Sequence, residues 1–262
     1  MKHKLIAQTY SVRKEFEKDC ENTIKTLKEI GFNAIQLDGM RGNDPKEVAR
    51  ILEKYDMKVV GMHIKHDRFF NDIDGIIEEA KIFKCKDIFD KYIDDEDQNE
   101  EGYKKTKEQL IKVARQLGPE GFRVGLHNPE YDFNNLVEGK KVMDYITEPV
   151  AGTIIYPEVD TYWTTVGKTD PVEYSKQFSG RMPIMHLKDI KTKYDLNNFE
   201  ENLTEIGSGD VDFYEVLKWG EKNGVEYYAI EQDHSSIGMF ESMKKSYDHL
   251  VELTERIEQE EA

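Results

Sequence analysis

Short apolar runs alternate along this chain with longer segments whose apolar residues recur at helical spacing. The runs at 4–8, 34–37, 58–63, 87–90, 123–127, 153–160, 182–188 and 227–233 are the length of strands and rich in β-branched residues. Between them, residues 20–30 carry Ile24, Leu27 and Ile30 on one stripe, and Gly31 ends that helix. Asp44-Pro45 supplies an N-cap and a first-turn proline for a helix running to about residue 55. Further helices are predicted at 70–83, 101–117, 136–146, from Asp170-Pro171 to before Gly180, at 213–223 with Gly224 as its stop, and at 240–257. The charged segment 94–101 reads as a solvated loop entering the helix at 101. Eight strand–helix units without a Gly, Pro or Ser-rich linker predict an α/β fold, an eight-fold (β/α) barrel, in preference to an open sheet.

Length agrees, since 262 residues suit one such barrel, so residues 1–262 are expected to form a single domain. The formal charge of −16 argues against a nucleic-acid partner, which needs clustered Lys and Arg, and against an anionic membrane. Cys20 and Cys85 are the only cysteines, which suits a reducing compartment and leaves no thiolate zinc site. With no apolar run of bilayer length and a polar N-terminal region, a cytoplasmic location is expected.

Candidate chemistry gathers at strand ends. In a parallel barrel these converge on one mouth, and His127, Asp160, His186 and Glu231 close four successive strands. Imidazole with carboxylate suits a divalent cation such as Mn, Mg, Co or Zn. Singly, each has an ordinary structural explanation, a hydrogen-bonded histidine or a helix-capping acid. Lys188 follows His186 by two and shares its strand face, where an ammonium can hold a substrate oxyanion or instead pair with Asp189 or Asp233. His63, at the end of the third strand, is an acid/base candidate or a rim histidine. Trp163 can wall the pocket or pack, and Gly207-Ser208-Gly209 can let backbone approach a ligand or form a plain turn, the favoured reading.

Several runs together resemble the xylose isomerase-like TIM barrels, in the sugar phosphate isomerase/epimerase branch that includes inosose dehydratase-like and 3-keto-sugar-acting proteins. They are Gln8-Thr9-Tyr10-Ser11-Val12-Arg13, Gly31-Phe32-Asn33-Ala34-Ile35-Gln36, Gly61-Met62-His63, Leu126-His127-Asn128 and Val159-Asp160-Thr161-Tyr162-Trp163. Gly167 with Asp170-Pro171, Gly180-Arg181, His186-Leu187-Lys188-Asp189, Ile206-Gly207-Ser208-Gly209 and Glu231-Gln232-Asp233 complete a pattern covering nearly the whole chain. The resemblance implies Asp160, His186 and Glu231 as metal ligands, and Lys188 and His63 as substrate-facing groups. Gln8, Gln36, Asp38, Asn128 and Trp163 are the substrate-binding candidates. Two departures stand out. Gln36 occupies a position where the family often has Glu, so a charge is missing unless Asp38 substitutes, and the fourth ligand is open among His127, Glu130 and Asp132.

The expectation is a metal-dependent sugar isomerase or epimerase acting by proton transfer beside a carbonyl, with Glu231 as base. Dehydration of a keto-sugar or inosose is the alternative, because a symmetric epimerisation with two glutamates lacks its second glutamate at strand five. A non-catalytic sugar-binding barrel that has lost the metal is the rival from another class. The partner is expected to be a small carbohydrate, and homo-oligomers are common for such barrels.

Overall fold

The computed structural model describes residues 1–193, 195 and 199–260. Eight parallel strands form the sheet: β1 (Leu5–Gln8), β2 (Ala34–Asp38), β3 (Lys58–Ile64), β4 (Asp87–Asp90), β5 (Arg123–His127), β6 (Tyr156–Glu158), β7 (Ile184–Leu187) and β8 (Tyr227–Ile230). Their order is β6-β5-β4-β3-β2-β1-β8-β7, and helices cover the outside. The two ends of that order are joined by a parallel bridge between Asp160 and His186, with His186 N donating to Val159 O at 2.9 Å. The fold is a (β/α)8 TIM barrel, and its seam closes through two candidate ligands. Among the described residues, no helix is long and apolar enough to cross a membrane.

Local chemistry explains the element boundaries. Asp44 accepts from Lys46 N and Glu47 N at 3.0 Å and opens the helix Pro45–Lys54, as its Asp-Pro signature predicts. Gly31 ends the helix Cys20–Ile30 at φ 129°, and a side chain there would strike the Tyr247 ring. Two expectations fail. The helix expected over 70–83 is broken, because Asp72 leaves helical geometry and caps Gly75 N, giving His66–Asn71 and Ile73–Ile82. The helix expected over 136–146 survives only as Val142–Ile146. Leu136–Val137 and Lys140–Lys141 instead pair antiparallel around Glu138 and Gly139, both at positive φ.

Most strand residues are buried on both faces, as helices outside a parallel sheet require. Ile6, Ala34, Phe89, Ile184 and Ala229 form an apolar plug inside the barrel. Counting two residues up from plug positions reaches Gln8, Gln36, His186 and Glu231, all buried, because strand side chains alternate with period two. Room for this polar layer comes from small residues, since a Cβ on Gly61 would lie 2.7 Å from Ile184 Cδ1 and 3.2 Å from the Gln36 side chain.

Candidate metal centre and active site

His127, Asp160, His186 and Glu231 each offer a ligand atom, all four lying within 4.8 Å of one another and all buried. A second set, His63, His127, Glu158 and His186, meets the same condition. Of the three candidates for the fourth ligand, the fold gathers His127. Asp132 lies elsewhere, buried, accepting from Met143 N and from the Tyr174 hydroxyl at 3.0 Å. Glu130 lines the mouth and meets the Tyr92 hydroxyl at 3.4 Å.

Glu158 is the residue the sequence reading passed over. It is fully buried, with Oε2 2.5 Å from His63 Nε2 and 3.2 Å from His186 Nε2, while Oε1 accepts from Gln36 Nε2 at 2.6 Å. The charge that Gln36 lacks is thus supplied beside it by Glu158. The same period of two that ties Lys188 to His186 ties Glu158 to Asp160, so the signal was present. Asp38 does not substitute: its carboxylate is taken by Arg41 and, at 2.6 Å, by Lys91.

The rest of the set is tightly cross-linked. His186 Nδ1 faces Glu231 Oε2 at 2.6 Å, and its Nε2 donates to Gln36 Oε1 at 2.7 Å. Gln8 Nε2 reaches Gln36 Oε1 at 3.0 Å and His63 Nδ1 at 3.3 Å. The His63 and His186 rings stack at 5.0 Å, and His127 lies 4.7 Å from His186. Lys188 Nζ, buried, stands 3.3 Å from Asp160 Oδ2, 3.3 Å from Glu231 Oε1 and 3.2 Å from Asp233 Oδ2. Asp189, by contrast, accepts from Gly207 N, Gly209 N and Val211 N and holds the glycine turn, which is structural.

Asp160 has two jobs. Oδ1 caps the helix Thr161–Val166 through Tyr162 N at 2.8 Å and Trp163 N at 3.1 Å, while buried Oδ2 has no hydrogen-bond partner. Asn128 Oδ1 accepts from Asp160 N at 2.6 Å and so positions this strand end. Trp163 lines the mouth, with Lys188 Nζ 5.7 Å from its ring centroid. His63, His127, Lys188 and Glu231 line the same cavity, of about 450 Å³.

Burial penalises every charge here, and the partners decide the outcome. For His127, burial and the neighbouring His186 and His63 act together and hold it well below the usual histidine range, neutral as a ligand must be. Burial is outweighed at His186, where Glu158 and Glu231 push it up to about 10, so without a cation it carries the proton that a bound ion would displace. Burial is outweighed again at Glu158 by His186 and His63, and at Glu231 by Lys188 and His186, so both stay ionised. Lys188, against burial, is driven well above its ordinary value by Asp160, Asp233 and Glu231. A borderline divalent ion fits this donor set of two imidazoles and two carboxylates. Asp160 Oδ2, ion-paired with Lys188, and His127 Nδ1 are both buried without a hydrogen bond and so retain coordination capacity.

The fold is that of solved xylose isomerase-like TIM barrels. A family model described as D-mannonate dehydratase (UxuA) matches residues 159–255, the stretch that carries Asp160, His186, Lys188 and Glu231. The inosose dehydratase of Clostridium perfringens is 23% identical over 277 residues, covering 91% of each chain. Among solved structures, a sugar phosphate isomerase/epimerase from Parabacteroides distasonis shares the fold at TM-score 0.78 and 19% identity, over 94% of this chain and 97% of that one. The IOLI protein with a binding zinc atom gives TM-score 0.71 at 13% identity, over 97% and 98%. These relatives agree with the resemblance read from the sequence.

Proposed function

We propose that this chain is a metal-assisted carbohydrate lyase, a dehydratase that removes a proton beside the carbonyl of a keto-sugar or inosose and then expels a hydroxyl as water. One observation carries this reading. The ends of β6 and β8 present Asp160, Glu231 and Asp233 around Lys188, whereas β3, β5 and β7 present the imidazoles of His63, His127 and His186. A symmetric proton exchange between two glutamates lacks its second glutamate at the end of β5, and Glu158 is enclosed by His63, His186 and Gln36, while an elimination needs one base, one acid and a held cation.

Asp160, His186, Glu231 and His127 are the residues to hold a divalent ion, which when bound supplies Lewis-acid polarisation of substrate oxygens. Glu231, kept ionised, takes the proton from carbon. Lys188, kept charged, lies where it can stabilise negative charge developing on the carbonyl oxygen. His63, in the wall of the mouth, holds on Nε2 the proton it shares with Glu158 and is the acid that releases it to the departing hydroxyl. The carbon–hydrogen and carbon–oxygen bonds break, a carbon–carbon double bond forms and one water leaves. The proton gained by Glu231 and the one lost by His63 are balanced by exchange with solvent. The family model and the Clostridium perfringens relative are dehydratases by name, whereas the Parabacteroides distasonis protein is a sugar phosphate isomerase/epimerase.

A panel of keto-sugars and inososes incubated with manganese and followed by mass spectrometry tests the reading. Loss of one water, abolished in Glu231→Gln, is expected. A product of unchanged mass makes the chain an isomerase or epimerase. Purified protein that takes up no divalent metal and turns over nothing is a sugar-binding barrel.

A further inference from the structure

Beside the mouth, between the ends of β2, β3 and β4, lies a second cavity of about 440 Å³ that shares Asp38, His63, Lys65 and Lys91 with the first. Its lining carries four cations, Arg41, Lys65, Arg68 and Lys91, against two carboxylates, Asp38 and Glu79, in a chain whose formal charge is −16. Resting on the carbohydrate reading above, we propose that the substrate carries an anionic end, a carboxylate or a phosphate ester, and that this end docks between Arg41, Lys65 and Lys91.

The cations are arranged in advance. Asp38, 2% exposed, holds Arg41 through one carboxylate oxygen and Lys91 through the other, at 2.6 Å. Both its oxygens are engaged, so it fixes the two cations where a ligand would meet them. The local backbone bends to allow this. Arg41 adopts φ 50°, a left-handed conformation uncommon for arginine, between Gly39 at φ 68° and Gly42 at φ 82°. Such strain persists where the surroundings enforce it, and it gathers at ligand clamps. Arg41 and Lys91 also flank the face of Tyr10, at 5.8 and 5.9 Å, and Tyr10 lines the mouth. Arg68 is already satisfied by Glu79 and Asp72, whereas Lys65 is exposed and lines both cavities.

A neutral polyol reaching this wall gains little, because the cations keep their water. An oxyanion gains charge-assisted hydrogen bonds, with a guanidinium fork suited to two oxygens at once. Since the cavities share a wall containing His63, one extended molecule can present its carbonyl end to Glu231 and Lys188 and its anionic end to Arg41 and Lys91.

Calorimetry on manganese-loaded protein with glucitol, gluconate and glucitol phosphate provides the test. At least one anion is expected to bind about 10-fold more tightly than glucitol, as charge-assisted hydrogen bonds suggest, and the gluconate and phosphate arms tell which group the site takes. The anion's advantage over glucitol should collapse in Lys91→Met and in the exposed variant Lys65→Met. Equal binding of all three compounds, or of none, overturns the proposal. So does a preference that survives both substitutions, since the anion then sits on the metal cluster. Binding is read without turnover, so a failure of the dehydratase reading leaves this result standing, and the reverse holds for the Glu231→Gln assay.

Discussion

Glu158 lies 3.2 Å from His186 Nε2 in the buried interior of the barrel, on the opposite side of the ring from the nitrogen that faces Glu231. A carboxylate behind a ligating histidine fixes its orientation and raises its basicity, and losing such a partner typically costs about 10–100-fold in metal affinity. Glu158→Gln keeps the shape and removes the charge. Its fold should be intact and its manganese affinity lowered by about 10-fold, on that scale, in a competition titration against a fluorescent chelator. Unchanged affinity would show that Glu158 serves packing alone.

Lys188 sets one buried ammonium among three carboxylates. In Lys188→Met, metal-free protein should lose roughly 3–5 kcal/mol in urea unfolding, the scale for stripping a buried charge of its partner. Added manganese should restore much of that loss, because the carboxylates then face a cation again. Turnover should not recover with it.

Asp160 separates ligation from capping. Asn at this position retains an oxygen for Tyr162 N and Trp163 N, whereas Ala retains none. Both variants should bind manganese weakly, and only Asp160→Ala should also lose the cap, about 1 kcal/mol without metal. Equal stability of the two metal-free variants would remove the capping role.

Asp132 gives a pH dependence away from the site. Burial, opposed by Met143 N, pushes its carboxyl up to about 7, above the unfolded value of about 3.9. The protonated form is favoured in the fold, so its contribution is fully present below about pH 4 and is lost as pH rises through about 7. Relative to Asp132→Asn, the wild type should lose stability over that window by at most about 1.4 kcal/mol per pH unit. Urea midpoints of both proteins at pH 5 and pH 8 measure this. A parallel pH response of the two would place the titration elsewhere.

Metal removal is the simplest global check. Dialysis against a chelator should lower the unfolding temperature, and readdition of manganese or zinc should raise it with a concentration dependence set by affinity. In Asp160→Asn the rise should be largely lost.

Periodicity alone determined the succession of strands and helices, because apolar spacing and caps such as Asp44 act within a few residues of themselves. It also determined which residues stand at strand ends, so Asp160, His186, Lys188 and Glu231 were legible one strand at a time. Which of those ends meet is another matter. Around a closed cylinder, lateral neighbours and their heights follow from stagger and from the β6–β7 seam, and no local pattern encodes them. The tertiary structure therefore decided that His127, and neither Glu130 nor Asp132, joins the cluster. It also brought in Glu158 for the charge missing at Gln36, and it turned Asp38 away to hold Arg41 and Lys91. A side chain's partner across the barrel is fixed by packing and charge compensation in a low-dielectric interior, and that is settled only when all eight strands are in place.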